Sequence, residues 1–408
     1  MLIDINKFSV KNFTRILDMQ SGLLERKFDI TLDDETELHV CTERFVSMEQ
    51  KEIGAIKYSI TPVNKDVSIV LHSCVDGDVR NKDANYDEIF WNKVNVLAED
   101  NLASVTLETK KTNFLVSSSS KSNVVLRGNE IAGEAYSDNL NAYTEYKCEA
   151  KKGETLTLFK YFAVTTNRDY EDKQVEAKSI AFAQKAIRMG FDALYEEHKN
   201  VWKEMWNHSD IKIQGDDEAQ QGIRFNIFQL NQTYTGKDSR LNIGPKGFTG
   251  EKYGGSTYWD TESYCLPFFL STSSKEVSRN LLIYRYNHLQ KAKENAAKLG
   301  LSGALYPMVT MNGEECHNEW EITFEEIHRN AAITHAIYNY VNYTGDEKYL
   351  PEYGIYVLYE TARFWVSRAN FNPRKNKYMI LGVTGPNEYE NNVNNNYHTN
   401  RMCAFSLR

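Results

Sequence analysis

The sequence has 408 residues, of which 41% are hydrophobic and 12% aromatic, and it carries a formal net charge of −8. A chain of this length can bury the cores of two or three domains. Its 56 acidic residues outnumber 48 basic ones, and no Lys/Arg cluster is present, which argues against nucleic-acid binding. We therefore expect a globular protein with a neutral substrate.

Residues 1–7 lack a charged segment followed by an apolar one, and no apolar run approaches the roughly 18 residues that a membrane span requires. The six cysteines are scattered without a CxxC pair, which predicts neither a disulfide framework nor a structural zinc site. We expect a cytoplasmic protein with buried free thiols, no metal, and neither a nucleic-acid nor a membrane partner.

The first third of the chain is predicted to be a β-structure. Residues 28–161 alternate apolar and polar side chains in short runs, such as residues 67–71, and turn clusters such as residues 76–78 separate them. Many short strands of this kind are typical of a sandwich of two sheets. We assign residues 1–168 to an N-terminal β-sandwich.

The pattern becomes helical after residue 168. Residues 176–199 contain few breakers and repeat apolar side chains at helical spacing, so residues 169–214 are predicted to be a helical linker. Residues 215–408 contain further predicted helices at 217–234, 256–270, 274–299, 325–344 and 353–369. Strands followed by helices indicate separate domains and disfavour a Rossmann or TIM-barrel fold.

A glycine-rich stretch at residues 244–255 does not match the phosphate-binding loop motif, so we reject a nucleotide site. Trp259 and Asp260 follow it directly. An aromatic ring offers an apolar face and a carboxylate accepts hydroxyl hydrogen bonds, a combination that suits a sugar. A buried Trp with a helix-capping Asp is an equally open interpretation.

Two further segments are rich in carboxylates. Residues 312–330 are dense in Glu and His but lack HExxH, and a solvated helix start with capping carboxylates is the favoured alternative to a site. Glu388 and Glu390 lie in a Gly/Pro turn beside aromatic residues, where the pKa of a carboxyl group can be raised as a general acid requires. Taken alone, this second segment is interpreted more readily as an ordinary polar loop.

Taken together, three segments resemble glycoside hydrolase family 65. They are TGEKYGGSTYWDTESYCLPFFL (residues 249–270), GEECHNEWEITFEEIHRN (313–330) and GPNEYENNVNNNYHTN (385–400). Residues 76–91 and 215–230 extend the similarity over most of the chain and favour the branch of the family that acts on maltose.

The resemblance implies an N-terminal β-sandwich, a helical linker and an (α/α)₆ barrel. It also implies inverting phosphorolysis of maltose to β-glucose 1-phosphate and glucose, with inorganic phosphate as co-substrate, no cofactor, and a homodimer. The alternatives are another α-glucosidic disaccharide phosphorylase or hydrolase of the family, or an inactive carbohydrate-binding remnant.

The same resemblance implies roles for individual residues. Glu388 matches the general acid, and Trp259 with Asp260 matches the pair that holds the transferred glucosyl ring. The loop at residues 317–325 matches the one over the leaving glucose, and its substrate contacts are expected from His317, Glu319, Trp320 and Glu325.

The sequence also departs from the family pattern. The downstream Lys-Gln pair and the His/Ser phosphate segment of the family are not found, and residue 1 corresponds to a position inside the sandwich. The resemblance therefore predicts a fragment truncated at both ends that has no activity by itself.

Overall fold

The computed structural model describes residues 3–80, 89–244, 256–316 and 321–408. The chain divides into two compact units, Met1–Asn207 and His208–Arg408. The first unit holds two antiparallel sheets and two helices, and the second unit is mainly helical. The predicted order of strands followed by helices is confirmed.

The described residues of the first unit form twelve strands: β1 Ser9–Asp18, β2 Leu23–Thr31, β3 Glu37–Val46, β4 Ile53–Pro62, β5 Val67–Asp76, β6 Trp91–Glu99, β7 Leu102–Thr109, β8 Leu115–Leu126, β9 Asn129–Ile131, β10 Gly133–Ser137, β11 Asn141–Ala150 and β12 Leu156–Thr166. The larger sheet has the order β1-β2-β3-β4-β12-β8-β7-β6, with β9 paired to β8. The smaller sheet has the order β10-β11-β5.

The two faces of the larger sheet are buried by different partners. Val40 and Ile60 point to one face and join a core with Tyr146 of the smaller sheet. Phe45 and Ala55 point to the opposite face, because successive strand residues alternate. The opposite face is covered by helices α1 (Val175–Met189) and α2 (Phe191–Ser209), which contribute buried residues to the same cluster.

The structure extends and divides the predicted elements. Strands begin at Ser9 rather than near residue 28, because β1 is mostly exposed and so lacks the apolar alternation that marks the later strands. The predicted linker helix is broken at Gly190, whose φ of 81° favours glycine. The boundaries at residues 168 and 214 stay a prediction.

The second unit contains helices α3 Asp217–Thr233, α4 Leu266–Thr272, α5 Lys275–Asn287, α6 Leu289–Lys298, α7 Ile322–Glu325, α8 Arg329–Thr344, α9 Ile355–Arg368 and α10 Tyr397–Ser406. A short hairpin joins β13 (Asn370–Asn372) to β14 (Lys377–Met379). Helix α8 is the central element, since Ile333, Ala336, Ile337 and Tyr340 are all buried in the main cluster. The (α/α)₆ barrel stays a prediction.

Over the part of the chain that the structure describes, no helix is both long enough and apolar enough to cross a membrane.

Candidate active site

The segment that carries Trp259 and Asp260 is fixed on both sides by hydrogen bonds, one pair between backbone groups and one from a side chain to a backbone carbonyl. Thr257 and Thr310 form a two-way bridge, with N–O distances of 2.7 and 3.1 Å. One π-helical turn begins at Thr261, whose hydroxyl donates to the Ile243 carbonyl at 2.9 Å. Trp259 and Asp260 remain half-buried where the chain enters this turn. Single π turns often occur at functional sites.

A buried ion pair supports the segment from behind. Arg285 of α5 donates to the two carboxylate oxygens of Glu262 at 2.6 and 2.9 Å. The Nη2 atom, which donates to Glu262 Oε2, also donates to the Tyr258 carbonyl at 3.1 Å. Bidentate Arg–carboxylate pairs fix orientation as well as distance. The ion pair therefore sets the direction in which Trp259 and Asp260 leave the core.

The Trp259 ring lies against a histidine that stays neutral. Its centroid is 4.9 Å from that of His328 in an edge-to-face contact, and His398 contacts His328 from another side at 5.4 Å. Burial, with the positive charges of His398 and Arg329, lowers the pKa of His328 to about 3. His328 therefore forms an uncharged wall beside Trp259 at physiological pH.

The loop at residues 383–393 carries Glu388 and is closed at its base. Val383 and Val393 exchange two backbone hydrogen bonds, both 2.9 Å long. Glu325 holds the same base: its Oε2 accepts from the Thr384 hydroxyl at 2.5 Å and from the Asn392 amide at 2.7 Å. Glu388 lies at the exposed tip of this loop.

The turn that carries Glu388 begins with Gly385, where the structure leaves no room for a side chain. A Cβ at this position would lie 2.5 Å from the side chain of Asn396. Asn396 cannot easily move, since its Oδ1 caps helix α10 by accepting from the Thr399 amide at 3.1 Å. The close approach of the loop to α10 therefore requires glycine at residue 385.

Glu326 lies between these two regions and is the most unusual group of the site. It is 1% exposed, and neither carboxyl oxygen has a hydrogen-bond partner among the described residues. Burial, and then the negative charges of Glu388 and Asp260, raise its pKa to about 8 against the opposing charge of Arg329. A buried carboxyl without partners is stable only in its neutral form.

Arg329 opposes the rise in the pKa of Glu326 through its charge, but its described hydrogen bonds go to backbone carbonyls and not to the carboxyl group. Its Nε donates to the Tyr306 carbonyl at 2.6 Å, and its Nη1 donates to the backbone carbonyl of Glu326 at 3.0 Å. Burial lowers the pKa of Arg329 to about 10, opposed by the charges of Glu315 and Glu326. The guanidinium thus organises backbone at the start of α8 and does not pair with the Glu326 carboxylate.

The predicted residues fall into three groups. Asp260 and Glu388 both act electrostatically on Glu326, and Trp259 packs beside Asp260 against His328. Glu325 contacts the base of the Glu388 loop. His317, Glu319 and Trp320 lie outside the described residues, so their predicted contacts stay predictions.

The structure disfavours two alternative interpretations of the sequence, a helix-capping Asp260 and a solvated helix start near residue 326. Asp260 does not cap the turn that follows it. The start of α8 is buried rather than solvated, since Glu326, His328 and Arg329 are each 1% exposed. Within the described ranges, no group of three or more His, Cys, Asp or Glu side chains is arranged to hold a metal ion.

Sequence reasoning did not identify Glu326, Glu262 or Arg285. Glu326 stands beside Glu325 in a Glu-Glu doublet directly before the apolar run of α8, a position that could have suggested burial. The Glu262–Arg285 pair joins residues 23 positions apart, and no local pattern connects them.

Comparison with known proteins defines the class to which this fold and site belong. Residues 224–408 match the glycosyl hydrolase family 65 central catalytic domain, and residues 2–205 match the N-terminal domain of the same family. The chain belongs to glycoside hydrolase family 65.

Individual members of the family show how similar this chain is to characterised phosphorylases. The chain is 47% identical over 412 residues to a maltose phosphorylase of Bacillus subtilis (strain 168), a match that covers 99% of this chain and 53% of the relative. An α,α-trehalose phosphorylase of Thermoanaerobacter brockii is 34% identical, with 99% and 53% covered. The chain thus spans about half the length of the curated relatives that it matches.

A solved structure confirms the similarity of fold. It is provisionally named a kojibiose phosphorylase, from the human microbiome, and superposes with a TM-score of 0.91 at 30% identity. The match covers 99% of this chain and 52% of that chain.

Proposed function

We propose that the protein containing this chain converts maltose and inorganic phosphate to β-glucose 1-phosphate and glucose. The observation that carries the proposal is that Asp260, which follows Trp259, and Glu388 both act electrostatically on the buried carboxyl group of Glu326. The 47% identity to a maltose phosphorylase supports maltose as the disaccharide.

In this reaction Glu388 is the general acid. Its proton goes to the glycosidic oxygen while the bond between that oxygen and the anomeric carbon breaks. A phosphate oxygen forms the new bond from the opposite face, so the configuration inverts. Phosphate is already an anionic nucleophile, and no carboxylate base is needed to activate a water molecule.

Asp260 and Trp259 bind the glucosyl ring that is transferred. A carboxylate accepts hydrogen bonds from sugar hydroxyls more strongly than a neutral acceptor does. The backbone bridge of Thr257 and the Glu262–Arg285 pair hold this acceptor before substrate arrives. Such pre-organisation lowers the entropic cost of binding.

The leaving glucose is bound by the loop at residues 317–325, with His317, Glu319, Trp320 and Glu325 as the proposed contacts. Both hydrogen bonds that Glu325 accepts from the Glu388 loop fall on Oε2. We assign its Oε1 to a hydroxyl of the leaving glucose. With this assignment, Glu325 contacts both the leaving glucose and the loop that positions Glu388.

The wider architecture follows from the same family membership. We propose an N-terminal β-sandwich and an (α/α)₆ barrel for the full-length protein, as the family resemblance implies. The six cysteines are all unpaired thiols, which supports a reducing, cytoplasmic location. We further propose a homodimer and no cofactor besides the co-substrate phosphate.

The second candidate function is phosphorolysis of a different α-linked glucose disaccharide. Relatives named trehalose phosphorylase and kojibiose phosphorylase are 34% and 30% identical to this chain. Their lower identity makes trehalose and kojibiose the appropriate alternative substrates in a direct test.

The test incubates the full-length protein with maltose, trehalose or kojibiose, with and without phosphate, and measures glucose 1-phosphate and glucose. We expect consumption of maltose that depends on phosphate and forms equal amounts of the two products. Glucose release at the same rate without phosphate would show a hydrolase instead. Preferred use of trehalose or kojibiose would reassign the disaccharide.

A further inference from the structure

Trp259 lies at one end of a set of ring contacts in the candidate site. Its ring stands perpendicular to that of His328, with 4.9 Å between the ring centroids and 89° between the planes. His328 stands perpendicular to His398 in the same way, at 5.4 Å and 88°. Perpendicular aromatic pairs at these separations attract each other. We call Trp259, His328 and His398 the ring column.

The members of the ring column come from three elements of the fold. Trp259 lies in the segment before the π turn, His328 directly precedes α8, and His398 lies in the first turn of α10. No two of them are neighbours in sequence, so their contacts exist only in the folded chain. The column therefore joins the proposed sugar-binding segment to the starts of two helices.

His328 is the fixed member of the ring column. It is 1% exposed, whereas the other two members are half-buried. The residues that follow it anchor the start of α8 to the core. Arg329 donates from Nε to the Tyr306 carbonyl at 2.6 Å, and Asn330 Oδ1 accepts from the amide of the same tyrosine at 2.9 Å. A buried ring on such an anchored segment has little freedom and constrains any ring that packs against it.

His328 acts on its neighbours through the shape of its ring. Neither ring nitrogen makes a hydrogen bond of normal geometry among the described residues. Burial lowers the pKa of His328 to about 3, against an opposing effect of the Thr384 backbone, so the ring is neutral at physiological pH. Replacement by phenylalanine would therefore leave no strongly bonded polar partner unpaired.

The second ring in contact with Trp259 constrains it less. Tyr264 lies 5.8 Å away, tilted by 47°, and is 67% exposed. An exposed side chain changes rotamer on a picosecond-to-nanosecond timescale and does not hold a neighbour in one orientation. Of the two described ring contacts of Trp259, the one with His328 is thus the one that fixes its orientation.

We propose that His328, supported by His398, is a positioning residue that holds the Trp259 ring in the orientation that binds the transferred glucosyl ring. The recognition part of this role rests on the proposed function, in which Trp259 contacts that sugar. A ring that is already held loses no rotamer freedom when the sugar arrives, so the entropic cost of binding is smaller. Loss of the His328 ring should weaken sugar binding although His328 does not itself contact the sugar.

The binding test is a double-mutant cycle in the full-length protein. Maltose is titrated by calorimetry, without phosphate, into the wild type, His328→Ala, Trp259→Ala and the double variant. We expect His328→Ala to weaken binding about 3- to 10-fold, the range for one aromatic pair. Because His328 acts through Trp259, adding His328→Ala to Trp259→Ala should change the affinity by less than about twofold. Losses that simply multiply would overturn the proposal.

Two further variants separate the position of the ring from general damage to the fold. His328→Phe keeps an uncharged ring of similar shape and should recover most of the affinity that His328→Ala loses. His335→Ala removes an exposed histidine of α8 and is the matched control, so its affinity for maltose should equal that of the wild type. If folded His328→Phe bound maltose as weakly as His328→Ala, the shape of the ring would not be the cause and the proposal would fall.

A spectroscopic measurement needs no sugar. Fluorine NMR of full-length protein labelled with 5-fluorotryptophan reports on each tryptophan ring, and Trp259→Phe identifies the signal of residue 259. We expect His328→Ala to shift or broaden this signal and His328→Phe to return it towards its wild-type position. An unchanged signal in folded His328→Ala would overturn the positioning role, whatever the protein binds. A changed signal together with unaltered maltose binding in Trp259→Ala would instead overturn the sugar contact of the proposed function.

Discussion

The proposed function gives the segment of Trp259 and Asp260 and the loop of Glu388 different tasks, and the fold supports the two regions differently. The first is fixed to the core by a backbone bridge and by the buried Glu262–Arg285 pair. The second is joined to the core at its base by hydrogen bonds to Glu325, and its tip is exposed, with Tyr389 95% accessible. The proposed sugar-binding segment is thus fixed to the core, whereas the proposed acid, Glu388, lies on an exposed loop.

This difference predicts that substitutions in the two regions affect different quantities. A substitution in the Glu262–Arg285 pair, which supports Trp259, should lower both the stability of the fold and the affinity for the sugar. A change in the loop should lower the rate of the chemical step and leave stability almost unchanged, because the loop buries little surface.

The largest effect is expected at the tip of the loop. Glu388→Gln removes the proton donor and should lower kcat on maltose by about 10²-fold or more, the usual contribution of a general acid. Glu390→Gln, two residues away in the same exposed turn, is the matched control and should stay near wild type. A near-native rate in Glu388→Gln would remove the acid assignment.

The largest effect on stability is expected behind the proposed sugar-binding segment. Glu262→Gln leaves the buried Arg285 without its counter-charge, which should lower the free energy of unfolding by about 3–5 kcal/mol. The partly exposed pair of Asp210 and Arg224 provides the comparison, and Asp210→Asn should cost about 1 kcal/mol or less. Denaturant titration measures both, and similar small losses would show that the buried pair does not support the site.

Asp260→Asn tests recognition itself. A hydrogen bond to a charged group contributes about 1.5–3 kcal/mol, so kcat/KM for maltose should fall about 10- to 100-fold. Asp217→Asn, at an exposed position in the first turn of α3, controls for the loss of one charge. Unchanged kinetics in Asp260→Asn would return this segment to a purely structural role.

The smallest effect is expected at the base of the loop. Thr384→Val removes one hydrogen bond to Glu325 but keeps the shape of the side chain. We expect kcat to fall a few-fold, in line with about 1 kcal/mol for a single hydrogen bond, while the affinity for glucose stays constant. A loss of glucose affinity without a change in kcat would assign Glu325 and Thr384 to sugar binding alone.

The sequence predicted the parts of the fold that depend on local patterns. The alternation in β3, with Leu38 and Val40 buried, gave a strand, and the apolar spacing before Thr344 gave helix α8. The exposed strand β1 and the π turn after Asp260 have no such pattern and were missed.

The site residues that the sequence predicted are also those marked by a local pattern. Trp259, Asp260 and Glu388 stand out because their residue types and motifs are recognisable in the sequence. The burial of Glu326 depends on three elements that meet only in the fold, and its unusual protonation depends on that burial. No local reading of the Glu325-Glu326 doublet distinguishes the residue that supports the loop from the residue that is buried without partners.

The most direct test of the account is the configuration of the glucose 1-phosphate formed in the first turnovers. Proton NMR distinguishes the two anomers during the reaction of full-length protein with maltose and phosphate. Protonation by Glu388 on one face and attack by phosphate on the other predict the β anomer, with none formed when phosphate is omitted. Accumulation of α-glucose 1-phosphate, or of free glucose alone, would contradict inverting phosphorolysis at this site.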